Sequence, residues 1–356
     1  MKIGLLDKIC CPRSGEPLIL ESTSAKDGED IISGTLKSVT SGNTYSIEQG
    51  IPNLIIEFSE KVEQTAQQFS FEHTKIGEHA NPRQKAEEDV LLYFLKTGLD
   101  PQVYKIEGLD ISQCQSYKEL GYSPKWEKLN DKIVVDAGSA SGRYAKLVAP
   151  HCKQLILMDL GDHIYEAKKE LSHFDHVHYI KCNLLHPPLK PNTIDFIYSI
   201  GVLHHTPDPP KSFSNLAQSL KDGGAFSLWV YPPAYWSHSI KAFVAKFIRK
   251  ILLSMSFPKQ VFIIQHLLYP LGRLQMRIAS RFWLKIVFSP LFLINVPRHE
   301  DKSEMLATIM DYYTPQYIFT YTDHDLHLWY ENAGLTYNKL DFPTAGIGFK
   351  SGLKIG

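Results

Sequence analysis

The feature that most constrains this chain is VVDAGSASGR, residues 134–143. A β-branched run ends in an acid and is followed at once by a turn of Gly, Ala and Ser. The residues after it have helical spacing. Small residues let a backbone approach a ligand, and the amides of such a turn, with the helix N-terminus, offer donors to an anionic group. The segment predicts a strand, a ligand-cradling turn and a helix. Alone it does not distinguish among nucleotide-type cofactors.

The downstream sequence repeats the pattern. Strands are expected at 132–138, 154–160, 177–181, 193–203 and 224–231, with helices at 142–149, 164–172 and 211–220 between them. Strands separated by helices of this length form βαβ units and a parallel sheet covered on both faces. After an interruption at 237–299 the pattern resumes. Thr322 or Asp323 is a plausible N-cap for a helix ending at Gly334, and 335–341 and 347–354 are close enough to pair as an antiparallel hairpin. Asp208 is read as a turn residue before the helix at Lys211.

Composition narrows the class. Lys+Arg and Asp+Glu both number 38 in 356 residues, which argues against binding nucleic acid by global charge. The charge is segregated, however: residues 237–299 hold ten Lys or Arg and no Asp or Glu. Five scattered cysteines and no secretion-type leader fit a reducing, cytoplasmic compartment. No uncharged apolar run reaches the ~18 residues of a membrane span.

Several motifs then act together. Strand one ends in Asp136, and Gly138, Ser139 and Gly142 form the turn. Strand two ends in Asp159-Leu160, strand three runs into Asn183-Leu184, and strand four reads IDFIYSIGVLHH, with LKDGG before strand five. This combination resembles the class I S-adenosylmethionine (SAM) dependent methyltransferases over roughly 130–231 and 302–356. The resemblance implies an α/β, Rossmann-like seven-stranded sheet with a reversed final hairpin, SAM as cofactor and methyl transfer as activity. It implies that Asp136, Gly138, Ser139 and Gly142 hold the methionine half, Asp159 and Leu160 the ribose, and Asn183 and Leu184 the adenine, with Ser199 to Gly201 beside the sulfonium. The turn departs from the family pattern at Ala140, where glycine is usual, and Asn183 stands where aspartate is usual.

His204 and His205 follow strand four, where this fold places the acceptor. Either imidazole is a candidate general base, although methyl transfer often needs only an in-line nucleophile. Tyr231, Tyr235 and Trp236 line the pocket or pack the insertion.

The first 58 residues read as a small β-rich unit. Cys11-Pro12-Arg13-Ser14-Gly15 and Ser38-Val39-Thr40-Ser41-Gly42 have the outline of paired zinc knuckles. They resemble the Trm112-like zinc ribbon with serine at three of four ligand positions. The fold is expected without a metal, because serine is a poor zinc ligand.

The expected organisation is 1–58 Trm112-like, 59–131 helical linker or lid, 132–236 SAM-binding, 237–301 basic amphipathic helical insertion and 302–356 completion of the α/β domain. The segment 67–73 is either a lid over the cofactor or packing between units. The acceptor is expected to be a small molecule, a glycan precursor or lipid-linked, with no nucleic acid. The insertion is a lid, a peripheral membrane contact or a homodimer surface. The alternative function is a non-catalytic SAM-fold scaffold at a membrane surface.

Overall fold

The computed structural model describes residues 1–56, 59–71, 129–233, 240–279, 281, 289–297, 299–340 and 344–351. The chain divides into two compact units. The first comprises 1–58, 80–232 and 319–356; the second comprises 59–79 and 233–318.

The first unit carries two sheets. Strands β1 (Leu18–Asp27), β2 (Asp30–Ser38), β3 (Thr44–Glu48) and β4 (Ile51–Pro52) form an antiparallel meander. Beyond Leu20, β1 is exposed and polar, so the first hairpin is longer than its apolar residues predict. Its inner face is Leu18, Ile31, Leu36, Tyr45 and Ile47.

The second sheet has seven strands: β5 (Ile133–Ala137), β6 (Gln154–Asp159), β7 (Val177–Lys181), β8 (Ile194–Ile200), β9 (Leu220–Trp229), β10 (Asn338–Lys339) and β11 (Ala345–Phe349). Their order across the sheet is β10-β11-β9-β8-β5-β6-β7. All neighbours are parallel except β11, which pairs antiparallel with both β9 and β10. The reversed final hairpin is therefore present, with its first strand short. Connections run outward in both directions from β5 and β8, which makes the gap between those strands the switch point where such sheets bind ligands.

Alternation along β5 shows how two cores are built. Ile133, Val135 and Ala137 face one core, with Phe213 and Leu216 of the helix Pro209–Ala217 and Leu326, Trp329 and Tyr330 of the helix Asp323–Asn332. Val134 faces the other, with Ile164, Ala167 and Leu171 of the helix Ile164–Leu171. Asp208 caps the helix Pro209–Ala217 by accepting from the Lys211 amide. Thr322 and Asp325 form a capping box at Asp323–Asn332.

The meander is built onto the edge of the large sheet. Asn53 bridges Lys181 in parallel, and the Leu54 amide donates to the Lys181 carbonyl at 2.8 Å. Ile9 bridges Leu189 in antiparallel sense. The contacts of Asn53 and Leu54 occupy backbone groups at the end of β7, an edge strand, that would otherwise be exposed.

The second unit is helical: Glu60–Phe71, Ile240–Leu253, Phe257–Ile263, a π-turn at Ile264–Leu268, Tyr269–Ala279 and Lys302–Tyr313. Its core is Ala245, Leu252, Ile264, Leu268, Met305, Ile309 and Tyr313. The helix Lys302–Tyr313 belongs here, although its sequence pattern places 302–356 in the α/β domain. Its apolar face joins the insertion's core, a choice that periodicity alone does not reveal. Phe71 packs edge-on against Phe257 at 5.7 Å within this unit. Residues 72–128 of the expected 59–131 helical linker, with Glu72 and His73 of the lid segment, lie outside the described residues.

Candidate SAM site at the switch point

The turn after β5 is wound unusually. Gly138 has φ +92 and Ala140 has φ +48, so both lie in the left-handed region. Glycine is required at 138 on a second count: a Cβ there would come within 2.3 Å of the Val202 side chain. Ala140 occupies the same region at a cost on the order of 1 kcal/mol. A Cβ at Gly142 would lie 3.2 Å from Ala167 and Leu171, and the Gly142 amide donates to the Ser139 carbonyl at 2.9 Å.

The strained turn is tied to the end of β6. The Ala140 amide donates to Asp159 Oδ2 at 2.9 Å, and the Gly161 amide to Asp159 Oδ1 at 3.0 Å. His163 Nε2 lies 2.8 Å from Asp159 Oδ1. Burial pushes the Asp159 carboxyl up, but His163 and the two amides outweigh it and bring it down to about 2. A carboxylate fixed in this way, facing a turn of small residues, fits a ribose-bearing cofactor. Ser139 Oγ is buried and has no hydrogen-bond partner among the described residues, which also suits a polar ligand. Leu160, half-buried, follows Asp159.

Asp136, expected at the methionine half, lies near the end of β5. It is 2% exposed and accepts from the Tyr198 hydroxyl at 2.9 Å. Burial pushes its carboxyl up to about 7, with the Tyr198 bond opposing and Asp159 adding to the rise. The hydroxyl of Ser199, the residue expected beside the sulfonium, is buried and donates to the Ala137 carbonyl at 2.7 Å. It clamps β8 to β5 at the switch point. The Gly201 amide donates to the Trp229 carbonyl at 3.0 Å, and a Cβ at Gly201 would come within 3.2 Å of the Trp229 ring.

At the adenine position Asn183 is buried and its Oδ1 accepts from the Leu185 amide at 2.9 Å; Leu184 beside it is 5% exposed. His204 has no exposed surface, and its ring lies tilted against Tyr231 at 3.8 Å and against His205 at 4.1 Å. Burial holds the His204 imidazole well below its usual range, hence neutral. As placed it packs the loop, and His205, 7% exposed, is the histidine nearer an accessible surface. Tyr235 and Trp236 lie outside the described residues.

The four knuckle positions of the N-terminal unit converge. Ser41 Oγ is 2.7 Å from Ser38 Oγ and 3.4 Å from Ser14 Oγ, and Asn43 Nδ2 donates to Ser41 Oγ at 2.7 Å and to Cys11 Sγ at 3.7 Å. Cys11 Sγ meets the Tyr45 hydroxyl at 3.1 Å. Hydrogen bonds link these positions. No group of three or more metal-ligating side chains occurs among the described residues.

Two site residues carry no clear signal in the sequence. His163 stands four residues after Asp159, and only the tight turn at Gly161 brings it back. Tyr198 is an inward position of β8 that reads as ordinary core.

Residues 135–228 match the family model of a methyltransferase domain. The match runs from within β5 to within β9. The chain is 30% identical over 125 residues to a tRNA U34 carboxymethyltransferase of Aliarcobacter butzleri (strain RM4018), covering 34% of this chain and 41% of the relative's length. Among solved structures it is similar to a chain in a complex containing the Haloferax volcanii Trm112 methyltransferase activator, at 11% identity and TM-score 0.40, covering 80% of this chain and 98% of that one. It is also similar to geranyl diphosphate C-methyltransferase from Streptomyces coelicolor A3(2), at 16% identity and TM-score 0.34, covering 52% and 72%.

Proposed function

We propose that this protein transfers the methyl group of SAM to a small-molecule, glycan-precursor or lipid-linked acceptor. The observation that carries the reading is the Asp159 carboxylate, held ionised against the Gly138–Gly142 turn. SAM, when bound, supplies an electrophilic methyl carbon on its sulfonium.

Asp159 would accept from the ribose. A carboxylate has about four lone-pair positions, and three are taken by Ala140, Gly161 and His163. The remaining position fits one ribose hydroxyl. Ser139 and the turn amides would hold the methionine half, Asn183 and Leu184 the adenine. Gly201 and the residues after it would face the acceptor, with His205 as the candidate base. The N-terminal meander would be a Trm112-like ribbon that keeps its shape without zinc. The proposal places the protein in the cytoplasm, and the free thiols of Cys10, Cys11, Cys152 and Cys182 support a reducing compartment.

The comparisons do not favour the non-catalytic alternative. Calorimetric titration with SAM and with NADH tests the cofactor, and labelled SAM with cell extract tests transfer. Micromolar SAM binding, no NADH binding and label in a small or lipid-soluble product are expected. SAM binding without transfer to any extract fraction would return the reading to a scaffold. Label in RNA would move the acceptor to nucleic acid.

A further inference from the structure

The helix Ile240–Leu253 has two apolar faces. One face, Ala242, Ala245 and Leu252, is buried in the second unit, together with Arg249. The other is in solvent: Ile240 is 70% exposed, Phe243 74%, Phe247 59% and Ile251 42%. Steps of three and four residues place these side chains in one continuous stripe. Single exposed apolar residues are ordinary, but a stripe of this kind marks an interaction surface. Phe262 and Leu267, further along the same unit, are 61% and 62% exposed.

The charges indicate what the stripe meets. At 100° per residue, Lys246 and Lys250 flank it on one side and Lys241 on the other, and all three are exposed. Within 237–299 every charged residue is Lys or Arg. Two copies meeting through this face would bring cations together with no acid from this segment to balance them. Fourteen residues of helix reach about 21 Å, short of a hydrocarbon core of about 30 Å. No helix among the described residues is long and apolar enough to cross a membrane.

We propose that this face docks in the plane of an anionic phospholipid surface. Phe243, Phe247, Ile240 and Ile251 enter the boundary between headgroups and acyl chains, while the lysines reach back to the lipid phosphates. The inference stands on the second unit and is independent of SAM binding.

Flotation of the full chain with phosphatidylcholine vesicles, with and without phosphatidylglycerol, tests it. Binding is expected only to the anionic vesicles and should fall with added salt. Phe243→Ser/Phe247→Ser and Lys246→Glu/Lys250→Glu should each lower the bound fraction at least about tenfold. These side chains are exposed, so melting temperatures should not change. Absence of binding to anionic vesicles, or binding that both double variants leave intact, overturns the proposal. A concentration-dependent dimer in light scattering that Phe243→Ser/Phe247→Ser dissociates, without vesicle binding, assigns the stripe to a second copy instead.

Discussion

His163 Nε2 lies 2.8 Å from Asp159 Oδ1, across the turn that ends β6. The imidazole is 2% exposed and supplies the one side-chain partner among the three groups that hold this carboxylate. With them in place Asp159 titrates at about 2, so SAM affinity should be flat from pH 8 to pH 5. In His163→Ala the burial that pushes the carboxyl up is less opposed. SAM binding should weaken about tenfold at pH 7, equivalent to about 1.4 kcal/mol, and weaken further towards pH 5. Calorimetry at the two pH values checks this. An equal loss at both would mean that His163 only packs.

Asp136 gives stability the opposite pH sense. Its folded carboxyl titrates at about 7 and its unfolded one at 3.8. Folding therefore takes up a proton between those values, and the contribution is full below 3.8 and lost as pH rises through 7. Over that window the change is on the order of 4 kcal/mol. Asp136→Asn, which keeps an acceptor for Tyr198, should flatten the dependence. Thermal melts of both proteins from pH 5 to pH 8 compare the slopes.

Ala140 carries a left-handed φ that glycine adopts without cost. Ala140→Gly should stabilise the fold by up to about 1 kcal/mol and leave SAM affinity within twofold, since its amide still reaches Asp159. Denaturant unfolding and SAM titration are the measurements. A loss of stability would show that the turn is not strained.

Ser41 Oγ joins Ser38, Ser14 and Asn43. Removing it in Ser41→Ala should cost about 1–2 kcal/mol. A chelator should leave the melting temperature of the native chain unchanged, because hydrogen bonds hold these positions together. A drop in melting temperature with EDTA would mean that a metal does the holding.

The large sheet was legible because its buried parallel strands are near-continuous apolar runs with acids and glycines at their ends. The N-terminal meander was legible only where a strand faces a core: residues 22–27 of β1 are polar and exposed, and leave no period to read. The site was legible by type and less so by geometry. Asp136 and Ser199 face inward to Tyr198 and Ala137, and the face of a strand residue at a switch point depends on register. The helix Lys302–Tyr313 packs in the second unit, and its apolar face does not record in the sequence which core receives it.

The bridges Asn53–Lys181 and Ile9–Leu189 have a consequence for assembly. The edge of a sheet is where a second molecule would add its own strand. Here the guest is already covalently tethered, so its docking is intramolecular and does not depend on protein concentration. Cleavage of the chain between residues 57 and 128 would turn a unimolecular docking into a bimolecular one. Integrity of the β7 end, and of Asn183 beyond it, would then depend on how much of the two fragments is present.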